Sequence, residues 1–154
     1  MEFNYILDWF YFADTDLNYA EHGLSMYPQP YELICYHCQQ SAEKYLKGYL
    51  FYRGVQPPKT HDLDRLCEMC AEHNTCFDEI EKQCAVLTAY GSQPRYPYEI
   101  QMNEYIMKKA LEYAKQIKDF VPLQAARSEL GKALSEETPA EEEPEEDTTP
   151  DTTE

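Results

Sequence analysis

The residues with the types and spacing for chemistry are four cysteines and one Arg-Tyr pair. Cys35 and Cys38, then Cys67 and Cys70, repeat a Cys-x-x-Cys spacing that suits tetrahedral zinc, and His37 beside Cys38 adds a nitrogen donor. Both pairs fall on apolar faces of strongly helical patterns, without the Gly-rich turns of zinc ribbons, and there free cysteine behaves as a small hydrophobe. The reading adopted is core thiols, with no metal and no cofactor; a zinc site and redox chemistry are the alternatives. Arg95 and Tyr96 pair a guanidinium that can bind phosphate with a ring that can stack on a base, which suits a nucleotide or a single-stranded RNA end. The competing role for Arg95 is an ion pair with Glu43 or Asp62 that holds its loop.

Helices must position these residues. The central stretch is Tyr31 to Tyr52, where Tyr31, Cys35, Cys38, Ala42, Tyr45, Leu46 and Tyr49 share one apolar stripe and Gln40, Glu43, Lys44 and Lys47 lie opposite. That predicts an amphipathic helix of about six turns, capped at Gly54 and stopped by Pro57-Pro58. Ser41 and Gly48 form a small-residue strip that admits a second helix closely, from the same chain or from a partner copy. A first helix is predicted from near Phe3 to about His22, with Phe3, Ile6, Phe10, Ala13, Leu17, Ala20 and Leu24 inward and Leu7 widening the face. A third starts around Thr60 to Asp62 with Thr60 as cap; a fourth starts at Thr75 and ends by Gly91 and Pro94. A fifth runs from about Ile100 to Val121, where Pro122 interrupts it, with a short helical extension over 123–134. The expected architecture is all-α, an antiparallel up-and-down bundle of about five helices over 1–122, followed by a disordered acidic tail over 135–154.

The segment YHCQQSAEKYLKGYLFYRGVQPPKTHDLDRL resembles the signature of HEPN domains, with its aromatic-His, Gln-Gln, Ala-Glu-Lys, Leu-Lys and Thr-His-Asp-Leu elements. The resemblance spans roughly Tyr5 to Phe120, and Arg95-Tyr96-Pro97 matches an Arg-Tyr-Pro that such proteins often carry at this point. It implies a helical domain that acts in nucleotide- or RNA-linked prokaryotic systems, as a homodimer and beside a separate nucleotidyltransferase, in the manner of a toxin and antitoxin pair. HEPN ribonucleases use an Arg, four to six residues, then a His, with the His as general acid or base and the Arg stabilising the phosphorane. Here Arg53 and His61 are separated by seven residues, as are Arg65 and His73. The leading expectation is therefore a non-catalytic binding or interaction module with Arg95, Tyr96, Lys44, Lys47 and His37 toward a nucleotide or RNA. The alternative is a metal-independent endoribonuclease using His61 with Arg53 or Arg95.

Composition narrows the partners. The chain carries 13 basic and 29 acidic residues, and ten of the acidic ones lie from Ser135 onward, where there is no Lys or Arg; Met1 to Leu134 keeps 13 against 19, a balance of −6. No broad basic surface is available for duplex nucleic acid. No apolar run reaches transmembrane length and no basic residue precedes Lys44, so the expected place is the cytoplasm, without a membrane role and with six cysteines as thiols. The 14 tyrosines include Tyr5, Tyr11, Tyr36 and Tyr52, which are candidates for a dimer surface. There is no phosphate loop, no dinucleotide fingerprint and no zinc-protease motif.

Overall fold

The structure, a computed structural model, describes residues 3–92 and 101–137, with side chains from Ile6 onward. Five α-helices occupy most of it: α1 (Phe3–His22), α2 (Tyr31–Tyr52), α3 (Leu63–His73), α4 (Glu81–Leu87) and α5 (Glu104–Glu137). Helix α2 is the hub, packing on α1, α3, α4 and α5. It buries twelve of its 22 residues, more than one amphipathic stripe supplies. Glu43 is the consequence: the helical wheel put it on the polar face, but with helices on several sides it is only 5% exposed.

The α1–α2 contact depends on small residues. A Cβ on Gly48 would sit 2.7 Å from Trp9 Cβ and 3.1 Å from Phe10 Cε1, so glycine sets how closely the helices approach. Ser41, on the same strip, is fully buried. The strip thus serves packing within the chain. Gly54, at φ 81°, turns the chain out of α2 in the left-handed conformation that glycine adopts freely.

An aromatic chain runs through the core: Tyr49 and Phe77 ring centroids are 4.5 Å apart, and Phe77 meets Phe120 edge-on at 5.2 Å. Fully burying such a side chain contributes about 1.5–3 kcal/mol.

Several expected boundaries move, each for a local reason. Leu7 is 49% and Leu24 38% exposed; Leu24 leaves the apolar stripe because α1 ends at His22 and Gly23–Ser25 form a 3-10 turn. Asp62, not Thr60, caps α3, its Oδ1 accepting from the Asp64 and Arg65 amides at 3.0 and 3.4 Å. Asn74, not Thr75, starts the next segment by accepting from the Cys76 amide at 3.0 Å, and a 3-10 run over Thr75–Ile80 precedes α4. Helix α5 begins at Glu104, where Asn103 Oδ1 accepts from the Ile106 amide at 2.8 Å.

Pro122 does not interrupt α5. The helix continues to Glu137, so the expected short extension is the same helix and Ser135–Glu137 of the expected tail are helical. Tertiary contacts offset the missing amide bond: Val121, Gln124 and Ala125 are buried, Asn74 Nδ2 donates to Gln124 Oε1 at 3.1 Å, and the Tyr52 hydroxyl donates to Glu129. Residues 138–154 of the tail, and Pro94, Arg95 and Tyr96, lie outside the described residues. No helix among the described residues is long and apolar enough to cross a membrane.

Candidate functional site

Three segments converge beside the middle of α2. Glu43 projects from α2, His61 precedes the start of α3, and Thr88–Gly91 ends the α4 segment. Leu63 N donates to Thr88 Oγ1 at 3.0 Å, which ties the last two together. Glu43 Oε1 lies 2.7 Å from His61 Nδ1, and the side chains are 6% and 70% exposed respectively. Lys47 Nζ pairs with the other carboxylate oxygen at 3.5 Å. Gln39 Nε2 donates to the His61 carbonyl at 3.1 Å and more weakly to Glu43 Oε1 at 3.4 Å; its own Oε1 accepts from Gln40 Nε2 at 2.7 Å. A buried carboxylate so satisfied fixes the imidazole. With Nδ1 committed to Glu43, His61 has Nε2 for a ligand.

Gly91 closes the site on the side of the α4 segment. A Cβ on Gly91 would meet Gln39 Nε2 at 3.2 Å, so the backbone lies directly on the glutamine that braces Glu43 and His61. Arg95 is four residues further along. Neither acid weighed as its partner is idle: Glu43 holds His61 and Lys47, and Asp62 caps α3.

The other expected site residues fall elsewhere. Arg53 follows the end of α2, roughly 15 Å along the helix axis from Glu43. Lys44 pairs with Asp16 on α1, whose Oδ1 also contacts His37 Nδ1 at 3.0 Å. Both lysines of the helix thus face a carboxylate. Of the four tyrosines proposed for a dimer surface, Tyr11 is 66% exposed, Tyr36 and Tyr52 are half-buried, and the Tyr5 side chain is outside the described residues.

No group of three His, Cys, Asp or Glu side chains among the described residues is arranged to hold an ion. Cys70 Sγ donates to the Leu46 carbonyl at 3.5 Å and Cys67 Sγ to the Phe77 carbonyl at 3.4 Å. Burial, aided by Glu32, pushes the Cys35 thiol up to about 12, and burial raises Cys38 and Cys70 as well. Cys35, Cys38 and Cys70 thus sit as core thiols, whereas a hydrogen bond with the Cys84 thiol lowers Cys67.

Sequence reasoning missed Glu43, Gln39 and Asp16 as organisers of the histidines. Gln39 and Glu43 stood within the Gln-Gln and Ala-Glu-Lys elements of the signature, which was the available signal; nothing in the sequence marked Asp16.

Comparison with known proteins fits this architecture. A family model described as HEPN domain matches residues 6–127. The crystal structure of TT1696 from Thermus thermophilus is similar at 26% identity and a TM-score of 0.67, over 77% of this chain and 97% of that one. ST0689, described as an archaeal HEPN homologue, shares the fold at 23% identity and a TM-score of 0.60, over 81% of this chain and 99% of its own. No curated protein matches. With the family model covering most of its length, the chain belongs to the HEPN domain family.

Proposed function

We propose that this protein is a non-catalytic HEPN module that binds a nucleotide or a single-stranded RNA end at His61, as a homodimer beside a separate nucleotidyltransferase in a toxin and antitoxin type of system. The observation that carries the reading is the Glu43–His61 pair: an exposed imidazole, fixed by a buried carboxylate, offers Nε2 as an acceptor to a base edge or, in the imidazolium form, as a donor to a phosphate. Cleavage in the manner of the HEPN ribonucleases calls for an arginine on the same phosphate, and the seven residues between Arg53 and His61 depart from their spacing.

Metal-independent endoribonuclease activity is the second reading, favoured by the position of Gly91. Gly91 rests on Gln39, and the four residues to Arg95 span at most about 14 Å when extended, so the arginine has the reach to enter the His61 site. Fluorescence anisotropy with a labelled single-stranded RNA, on the wild type, His61→Ala and Arg95→Ala, tests the proposal. Saturable binding that weakens at least several-fold in both variants, with the RNA intact, supports a binding module. Equal affinity across the three proteins would remove His61 from the interface and the proposal with it.

A further inference from the structure

A second site lies at the other end of the α1–α2 hairpin. Tyr19 and His22 on α1, the turn at Gly23, Ser25 and Met26, and Pro30, Leu33, Ile34 and His37 on the α2 side line an open cavity of about 490 Å³. Its size falls within the range of small-molecule pockets, roughly 300–1,000 Å³. The walls are held in place. A Cβ on Gly23 would lie 2.6 Å from Ile34 Cγ1, so the turn is packed directly onto α2.

His37 is fixed within this wall on three sides. Its Nδ1 is 3.0 Å from Asp16 Oδ1, its face stacks on Tyr19 at 5.6 Å and 24°, and Tyr36 meets it at 5.4 Å and 71°. Asp16 is itself held by Lys44. In the neutral ring Nδ1–H donates to Asp16, which leaves Nε2 as an acceptor and as the one polar atom that His37 can turn to a ligand. Tyr19 and His37 supply the aromatic part of the wall, Met26, Pro30, Leu33 and Ile34 the apolar remainder and His22 and Ser25 further polar groups, and no Lys, Arg, Asp or Glu lines the space.

From this arrangement we infer that the cavity binds an uncharged, planar aromatic small molecule carrying an N–H or O–H donor, which packs on the apolar wall and lies edge-on to His37, donating to Nε2 in the plane of the imidazole. The site shares no residue with the His61 cluster and does not depend on its reading.

Indole serves as the probe and 1-methylindole, which lacks the donor, as its control. Each is titrated into the full chain at pH 8, above the ordinary histidine range, while the ring resonances of His22, His37, His61 and His73 are followed by NMR. The expected result is saturable shifts of His22 and His37 alone, with 1-methylindole weaker by roughly fivefold, the worth of one hydrogen bond. In His37→Phe, which keeps a ring there, the two probes should bind alike; Leu33→Trp, at an exposed position, should fill the cavity and abolish both. Absence of saturable shifts, equal affinities in the wild type, or shifts that survive Leu33→Trp would overturn the inference. So would His22 and His37 shifts that follow protein concentration and ignore the probe, since those would place a second copy there.

Discussion

Glu43 Oε1 lies 2.7 Å from His61 Nδ1, joining a carboxylate inside the bundle to an imidazole in solvent. The carboxylate also faces Lys47 and Gln39, so it organises more than one neighbour. Glu43→Ala should leave Lys47, with only 12% of its side chain exposed, beside an empty space. The expected loss is about 1–3 kcal/mol, measured by urea unfolding, with Glu43→Gln recovering a large part of it. If both variants match the wild type, the cluster does not hold α2 to the start of α3.

The Gly48 contact predicts an effect of similar size from a smaller change. Gly48→Ala places a methyl 2.7 Å from Trp9 Cβ, against another helix rather than a flexible side-chain end. Overpacking of this kind costs about 1–3 kcal/mol. Trp9 is the single tryptophan in the chain. Its emission should therefore shift together with a lowered melting temperature; an unchanged spectrum and melting point would mean that α1 is free to move away.

Pro122 should behave in the opposite sense. Its ring removes the amide that would bond the Lys118 carbonyl, yet α5 continues past it. Pro122→Ala restores the bond without disturbing the buried Val121 and Ala125, so thermal stability should rise, by up to about 3 kcal/mol. A fall in stability would show that the proline-shaped backbone is itself needed by the Gln124 and Glu129 contacts.

What the sequence made legible was what apolar spacing controls. The limits of α1 and α2 follow from the period of Ile6, Phe10, Ala13 and Leu17, the apolar face of Tyr31–Tyr52, and the glycine at 54. The burial of Glu43 was not legible, because a helical wheel assumes one covered face and α2 is covered on several. Pro122 misled for a related reason: local backbone preference ends a helix there, and the Asn74–Gln124 and Tyr52–Glu129 contacts that sustain it come from residues distant in sequence. At the site, His61 was visible from its motif, but its partner was not. The Glu43–His61 contact spans 18 residues and exists only once α3 has folded back on α2.

The cysteines predict both reactivity and a pH dependence. Cys76 is exposed and the other five are buried, so a thiol reagent on the native protein should label one cysteine rapidly and five only on unfolding. The Cys35 thiol rises from 9.0 to about 12 in the folded state, chiefly through burial. Above pH 9 the unfolded chain gives up that proton while the native state keeps it. Its contribution is complete below pH 9 and is lost as pH rises toward 12, so unfolding free energy should fall over that window. Cys35→Ala should flatten the decline; an identical slope would assign it to other groups.

The most direct test of the central claim is incubation of end-labelled single-stranded RNA with the purified protein in excess EDTA, comparing wild type with His61→Ala. A binding module predicts intact RNA with both proteins, and a mobility shift that the substitution weakens. Cleavage by the wild type that leaves terminal cyclic phosphates and disappears in His61→Ala would contradict the claim, and would make the Glu43-held imidazole a catalytic group.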